Sequence, residues 1–554
     1  MGHFLLYLFV VAACLLWSAT FTAAAAARTR LPWLRLLLAL AGVLVPVVAL
    51  APLVWFTAVL AFGRHMPTNW FGPTLTAAAS ALVGGLWIAW AGLARSHHAP
   101  LPFSSEPVPL AAGWPVVGLA ALFAMATGVA FGTLLVIDNA IAAQAPYLRL
   151  EAGQLMQANL PAAVPDSHNA APLYRQAFAA IEADAGVGGQ ESPLAAATTS
   201  DVASPAVTDL LARHAGTLDL LRRAADRDTC RFQRDWTRPS VDMLLPELQS
   251  LRTAARLLTL AARREVADGN AAEALRDVVR LQRIGRHAAA EPILISHLVG
   301  LAIDTLALDT LAQVLPTLRP DDLALLDAPE IRDLVLTPPA AGSHFYGEEA
   351  FGLSVFAAFS EGRYGPADIG LEPPRPRLLF RFLPFSLLYR VFFLPADLAG
   401  YRSIMQQYQA TASRSEPYPE AKSRLDGVEA GLRDRCPGMI SAQIVPALVA
   451  VFRQQERSVA LHRAAAALVA ATRQRLEMGT LPATFDDLAA KALPPASRDP
   501  FTADGPLVMK RAGDAIVVYS VGPDGEDDGG PVPPGADAVA GNDDVGLRMA
   551  VTTP

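Results

Sequence analysis

The chain has 554 residues, of which 52% are hydrophobic and 18% charged, with a formal charge of −7. Typical soluble domains carry roughly 25% charged residues, so the composition points to a membrane portion. Residues 1–137 hold Arg28, Arg30, Arg35, Arg64 and Arg95 against Glu106, a balance of +4, which leaves −11 for residues 138–554. No strongly basic face remains in the large part, and nucleic acid is excluded as a partner on charge.

Four charge-free stretches open the chain: 4–23, 36–62, 73–94 and 114–137. Each reaches the roughly 20 residues that a helix needs to cross hydrocarbon. Four spans are expected, with Pro46 and Pro52 kinking the second or splitting it into a re-entrant pair. Arg28, Arg30 and Arg35 place the first loop in the cytoplasm by the positive-inside rule. The N-terminus and residues 138–554 are then exoplasmic, in a multi-pass protein of a bacterial cytoplasmic (inner) membrane. Residues 1–27 also allow a cleaved signal, although no Lys or Arg precedes the apolar run. Cys230 and Cys436 lie in the exported part and are free to pair or not; three cysteines make no disulfide framework.

After the spans, residues 138–160 read as a helix leaving the membrane. Asp166 or Ser167 is placed to cap an amphipathic helix that begins near Asn169-Ala170-Ala171-x-x-Tyr174. Residues 186–206 are small and polar and read as a loop. From 207 to 315 apolar residues recur at helical spacing, among them Leu244, Leu248, Leu251 and Leu258. Residues 257–287 spell a helix, a Gly-Asn turn and a second helix. The hairpin resembles a single tetratricopeptide-type unit, but one copy makes no solenoid, so an ordinary bundle is expected. His297, Asp304 and Asp309 interrupt the apolar run 293–315, which reads as a central buried helix. Residues 375–402 are basic and aromatic and read either as a segment on the bilayer or as a packed helix.

A long helix is expected over about 440–478, ending at Gly479. Thr484 and Asp487 make a capping box for a short helix. The runs PLVMKR and AIVVYSV, joined by Ala-Gly-Asp, then read as a β-hairpin that delivers the chain into VGPDGEDDGG. Between Ala512 and Leu547 stand eight acids and no Lys or Arg. Calcium relieves such crowding, since it takes six to eight oxygens in flexible geometry. Asp524, Asp543 and Asp544 are the metal ligands expected, with Glu526, Asp527 and Asp528 as spare ligands or solvated charges. The spacing is not that of an EF-hand, and a bare acidic turn is the alternative.

The order of Gly479-x-Leu481-Pro482, Asp499-Pro500-Phe501, Tyr519-Ser520-x-Gly522-x-Asp524-Gly525, Gly529-Gly530 and Asp543-Asp544-Val545 resembles the C-terminal globular part of the major pseudopilin of type II secretion systems. The resemblance covers about 455–546 and implies a periplasmic calcium-binding last loop. It does not carry assembly into a pseudopilus, because four spans replace the single pilin helix and the leader segment is absent. The remainder is similar to uncharacterised bacterial multi-span membrane proteins.

Catalytic motifs are absent from the sequence: there is no G-x-S-x-G, no Walker loop and no H-E-x-x-H. His344, Glu348 and Glu349 are too few ligands for a metal and read as surface or capping residues. Ser354 in GLSVF lacks the second Gly of a nucleophile elbow. The spans carry no interior ionisable residue, which disfavours a transporter. The expected fold is mainly α: a four-helix transmembrane domain (1–137), an exoplasmic α-helical bundle (138–439), and a long helix with a small α+β hairpin module (440–554). The expected function is a membrane-anchored scaffold or binding protein, with the lipid bilayer as one partner and another exoplasmic or membrane protein as a second. The alternative is an exported enzyme whose site is assembled from scattered residues.

Overall fold

A computed structural model describes residues 137–551 except 185–193, 195–196, 198–199, 241–242, 244, 366–388, 392, 415–417, 435–439, 489–497, 503 and 533–541. The four expected spans and most of the basic aromatic segment 375–402 lie outside these residues. The described part is mostly helical with one small antiparallel sheet. Contacts divide the chain into two compact units. One comprises 1–148, 355–401 and 430–443; the other comprises 149–354, 402–429 and 444–554.

The second unit starts from α1 (Ala145–Asn159) and α2 (Ala171–Glu182). The cap of α2 differs from expectation. Neither Asp166 nor Ser167 caps it; Asn169 Oδ1 instead accepts from the amides of Ala171 (3.1 Å) and Arg231 (2.8 Å). Asn169 Nδ2 also donates to Arg231 O (2.9 Å), so one side chain ties the helix start to a segment 62 residues away. Pro172 then fits the first turn, where an N–H is not needed. α3 (Pro205–Arg213) and α4 (Ala215–Ala225) follow, with Ser204 capping α3 through Val207 N.

The expected helical hairpin is present as α5 (Pro246–Ala267) and α6 (Ala271–Ala288), joined by Asp268-Gly269-Asn270. α5 buries Leu248, Leu251, Ala255, Leu258 and Ala262, a stripe at three- and four-residue spacing. Each fully buried Leu contributes about 1.5–3 kcal/mol. α7 (Leu294–Val314) is buried along most of its length and sits centrally. Val299, Ile303 and Ala307 join a core with Tyr174, Leu221, Leu251 and Leu281. Leu308, Leu311 and Val314 join a second core. α6 and α7 cross backbone to backbone at Gly285 and Gly300, where a Cβ on Gly300 would sit 2.7 Å from Gly285 O. Residues 294–317 form the one helix among the described residues long and apolar enough to cross a membrane (mean hydropathy 1.6), and two-thirds of its apolar window is buried in protein.

α8 (Leu323–Leu326), α9 (Pro329–Leu336), α10 (His344–Ser360), α11 (Leu394–Ala412), α12 (Tyr418–Asp434) and the 38-residue α13 (Ser441–Met478) complete the helices. α13 ends where Gly479 was expected to end it. In the first unit, Asp397 marks the start of α13: its carboxylate accepts from Tyr389 OH, Ser441 Oγ and the Ile440 amide (3.0 Å). Arg390 pairs with Asp138 (2.8 Å).

The sheet has the order β1 (Val508–Ala512), β2 (Ala515–Ser520), β3 (Val545–Ala550), all antiparallel. Val508 pairs with Tyr519 and Ser520 with Val545. The hairpin was expected; β3 was not. Met509, Ile516, Val518 and Leu547 pack into the same core as Leu311, Ala464 and Leu468, so the sheet is continuous with the bundle. β2 is buried on both faces. Its second face is covered by the acidic loop itself, because a Cβ on Gly530 would lie 3.5 Å from both Val517 and Tyr519.

Candidate functional site

The rim of the sheet begins at Asp499, which is buried. Its Oδ1 accepts from Ser520 Oγ (2.7 Å) and the Phe501 amide (2.8 Å), and its Oδ2 from the Val521 amide (3.0 Å). Ser520 Oγ is thus spent on the Asp499 carboxylate. One carboxylate thereby fixes where β2 stops. Gly522 comes next at φ +74, and a Cβ there would lie 2.1 Å from Asp543 O. Only glycine allows both the conformation and the approach. The chain leaving β2 therefore lies directly against the chain entering β3.

The acids then arrange themselves by backbone hydrogen bonds. Asp524 closes a local turn on the Glu526 amide (3.1 Å) and is exposed. Asp527 Oδ1 accepts from the Gly529 amide (2.9 Å) and from Tyr519 OH (2.8 Å). The phenol bond and that amide hold the Asp527 carboxyl below its ordinary range, while burial and Asp527 push the Tyr519 phenol up. Asp528 Oδ2 accepts from the Asp543 amide (3.1 Å), and Asp544 Oδ2 from the Gly530 amide (2.6 Å). Asn542 Nδ2 closes the knot on Gly530 O (3.1 Å). Burial first, then the charges of Asp527 and Asp528, push the Asp544 carboxyl above its ordinary range, against two backbone N–H groups that lower it.

Of the three ligands expected, then, Asp544 is buried beside the charges of Asp527 and Asp528, while Asp543 is exposed and joins them through its backbone amide on Asp528. Asp524 is held apart in its own turn. Among the described residues, no three His, Cys, Asp or Glu side chains form a group that could hold a metal ion as they stand. Two cations invisible in the local sequence also approach. Lys510, from β1, donates to Tyr519 OH (2.8 Å) and stands 4.9 Å over its ring. Arg457 of α13 lies in the field of Asp543.

His344, Glu348 and Glu349 do not form a site, and the reading of them as surface residues needs correction. His344 is buried and its Nε2–H donates to Ala289 O (2.8 Å); burial holds its pKa down. Glu348 accepts the Leu294 amide at the start of α7, a capping role, with burial raising its carboxyl. Glu349 takes Gln409 Nε2 (2.7 Å). The three side chains serve three different partners. Ser354 Oγ donates to Phe351 O within α10 (2.6 Å). Cys230 is a buried free thiol, pushed up by burial; Cys14 and Cys436 lie outside the described residues.

Two polar arrangements escaped the sequence reading. Along α7 and α13, His297 Nε2 donates to Gln455 Oε1 (2.8 Å) and His462 Nε2 to Asp304 Oδ2 (2.7 Å), with Ser458 Oγ 3.5 Å from the same oxygen. Numbers rise together on the two helices, so they run parallel, with polar layers one heptad apart. The signal was the spacing of seven in both His297/Asp304 and Gln455/His462. The carboxylate stands between hydroxyl and imidazole, which is not the order of nucleophile, base and orienting acid. In the bundle, buried Asp277 takes Arg222 (2.6 Å) and Arg280 (2.9 Å). His287 donates from Nε2 to Arg227 O (3.1 Å), so its Nδ1 accepts from Tyr174 OH (2.9 Å); burial pushes its pKa down to about 4. Compared with known proteins, the chain matches no protein-family model, no curated protein and no solved structure.

Proposed function

We propose that this chain is a membrane-attached scaffold or binding protein whose large part is exoplasmic, and that calcium stabilises its C-terminal sheet. The observation that carries the calcium reading is the crossing between the two ends of the loop, where Asp528 accepts the Asp543 amide, Asp544 accepts the Gly530 amide, and the charges of Asp527 and Asp528 act on Asp544. Carboxylates and glycine carbonyls are the hard oxygen donors that calcium takes. Asp528, Asp543 and Asp544 are the side chains we assign to the ion, with Asp527 held by Tyr519 and Asp524 shaping the turn. The helical unit supplies the platform, since the sheet shares its core with α7 and α13.

Two experiments test the reading. In the full-length chain purified in detergent, melting in calcium at ten times its dissociation constant should exceed melting in chelator by about 1.4 kcal/mol of stability. Asp544→Asn and Asp528→Asn should remove most of that difference and Asp524→Ala little of it. Loss of the effect in Asp524→Ala alone would restore Asp524 as the ligand; equal melting in calcium and chelator would leave a solvated acidic rim. Reporter fusions at residues 105 and 190 should lie on opposite sides of the membrane. A cytoplasmic reporter at 190 contradicts the exoplasmic assignment and, with it, the calcium supply.

A further inference from the structure

A second feature lies in the helical unit, far in sequence from the acidic rim. The end of α1 and the segment after it face residues 231–237 across a cavity of about 460 Å³. Small-molecule sites span about 300–1,000 Å³. One wall is apolar, with Leu160, Pro161 and two alanines, and the other carries Arg231, Arg234 and Trp236.

The charges behind this wall are unevenly committed. Arg234 pairs with Glu247 and with Glu291 (3.5 Å) and stacks 5.4 Å over the Trp236 ring, so its charge is fully committed and more than offset. The carboxylate of Asp235, the acid in the lining, is closed on the amide (3.0 Å) and hydroxyl of Thr237. Arg231 spends one N–H on Pro161 O (3.1 Å), which fixes the guanidinium at the cavity. Trp236 is 3% exposed, and its indole Nε1 has no acceptor. A buried N–H donor without a partner costs about 1–3 kcal/mol, and such a group in a cavity wall calls for an acceptor. The wall therefore offers unmet donors and one uncommitted positive charge next to an apolar surface.

We propose that this cavity binds a small monocarboxylate on a short aliphatic body, with Arg231 and the Trp236 indole holding the carboxylate and Leu160 and Pro161 the aliphatic part. A dianion such as phosphate is disfavoured, because Glu247 and Glu291 together outweigh Arg234 just behind the wall. The carboxylate can belong to a free acid or to a peptide C-terminus; both present the same group.

The test is titration calorimetry of the full-length chain in detergent with N-acetyl-leucine, N-acetyl-leucinamide, acetyl-Ala-Ala-Leu and inorganic phosphate. Saturable binding of the acids is expected, with the amide at least tenfold weaker. Arg231→Gln, which keeps a donor for Pro161 O, and Trp236→Phe, which keeps the ring, should each weaken the acids about tenfold, the value of a charge-assisted hydrogen bond. Tighter binding of the tripeptide identifies a peptide C-terminus, and equal binding a free acid. The proposal is overturned if neither acid saturates, if acid and amide bind alike, if phosphate binds more tightly, or if both variants, with unchanged melting, bind like the parent.

Discussion

The interior of the helical unit and the rim of the sheet both gather polar side chains, but they settle the charges differently. Inside, several groups meet a partner of opposite character: Asp277 between two arginines, Asp304 against His462, His344 on a backbone carbonyl. At the rim, the carboxylates of Asp527, Asp528 and Asp544 are gathered by the amides of their own loop, and the charges of Asp527 and Asp528 bear on Asp544. Buried pairs of the first kind are weak sources of net stability and strong sources of register, since the wrong alignment strands a charge. The two polar layers between α7 and α13, seven residues apart, serve that purpose. A rim of the second kind keeps its repulsion in the folded state, and a divalent cation is the natural relief.

Breaking an interior pair should give the largest effect. Asp277→Ala leaves two guanidinium groups facing a buried gap, and a loss of about 3–5 kcal/mol is expected in chemical denaturation. A loss under 1 kcal/mol would place the pair in solvent. His344→Ala removes a buried ring and orphans a carbonyl bond, with an expected cost of about 2–4 kcal/mol.

Acidification sharpens the contrast from the same side. His287 is neutral in the fold, with its pKa pushed down to about 4 by burial, whereas an unfolded His titrates near 6.5. Below pH 6.5 the unfolded chain therefore binds the extra proton. The contribution is complete above that pH and is lost as pH falls toward 4. Between pH 7 and pH 5 the loss should be about 2 kcal/mol. It is read as the difference between the parent and His287→Gln, so that buried acids such as Glu348, which act in the opposite sense, cancel. Equal pH dependence in both proteins would refute it. At the rim the smallest effect is expected: in chelator, Asp524→Ala should change stability by under about 0.5 kcal/mol, as for an exposed turn residue.

Local signals explain what the sequence made legible. Leu248 to Leu258 carried helical period, Gly269 and Gly479 marked helix ends, and Ala-Gly-Asp between two apolar runs marked the hairpin. Asp543 and Asp544 were singled out because acids without countercharge nearby in sequence stand out in any chain. What was missed depends on distance along the chain. β3 is VGLRMA, short and mixed, and becomes a strand only through its pairing with β2. Lys510 is linked to Asp527 through the Tyr519 hydroxyl, a contact made across the hairpin. Asn169 caps α2 because Arg231 holds it there, so a local rule preferred Asp166 or Ser167. Likewise, His297 and Asp304 read as flaws in an apolar helix until α13 supplied Gln455 and His462.

The central claim is that the rim binds a cation that the interior does not need. Calcium titration of the full-length chain by calorimetry, in parallel with Asp544→Asn, tests it most directly. The account predicts one saturable site per chain in the parent, at roughly 0.1–1 mM as in extracellular modules, and none in the variant. Absence of saturable calcium binding in the parent, or binding unchanged in Asp544→Asn, would contradict it.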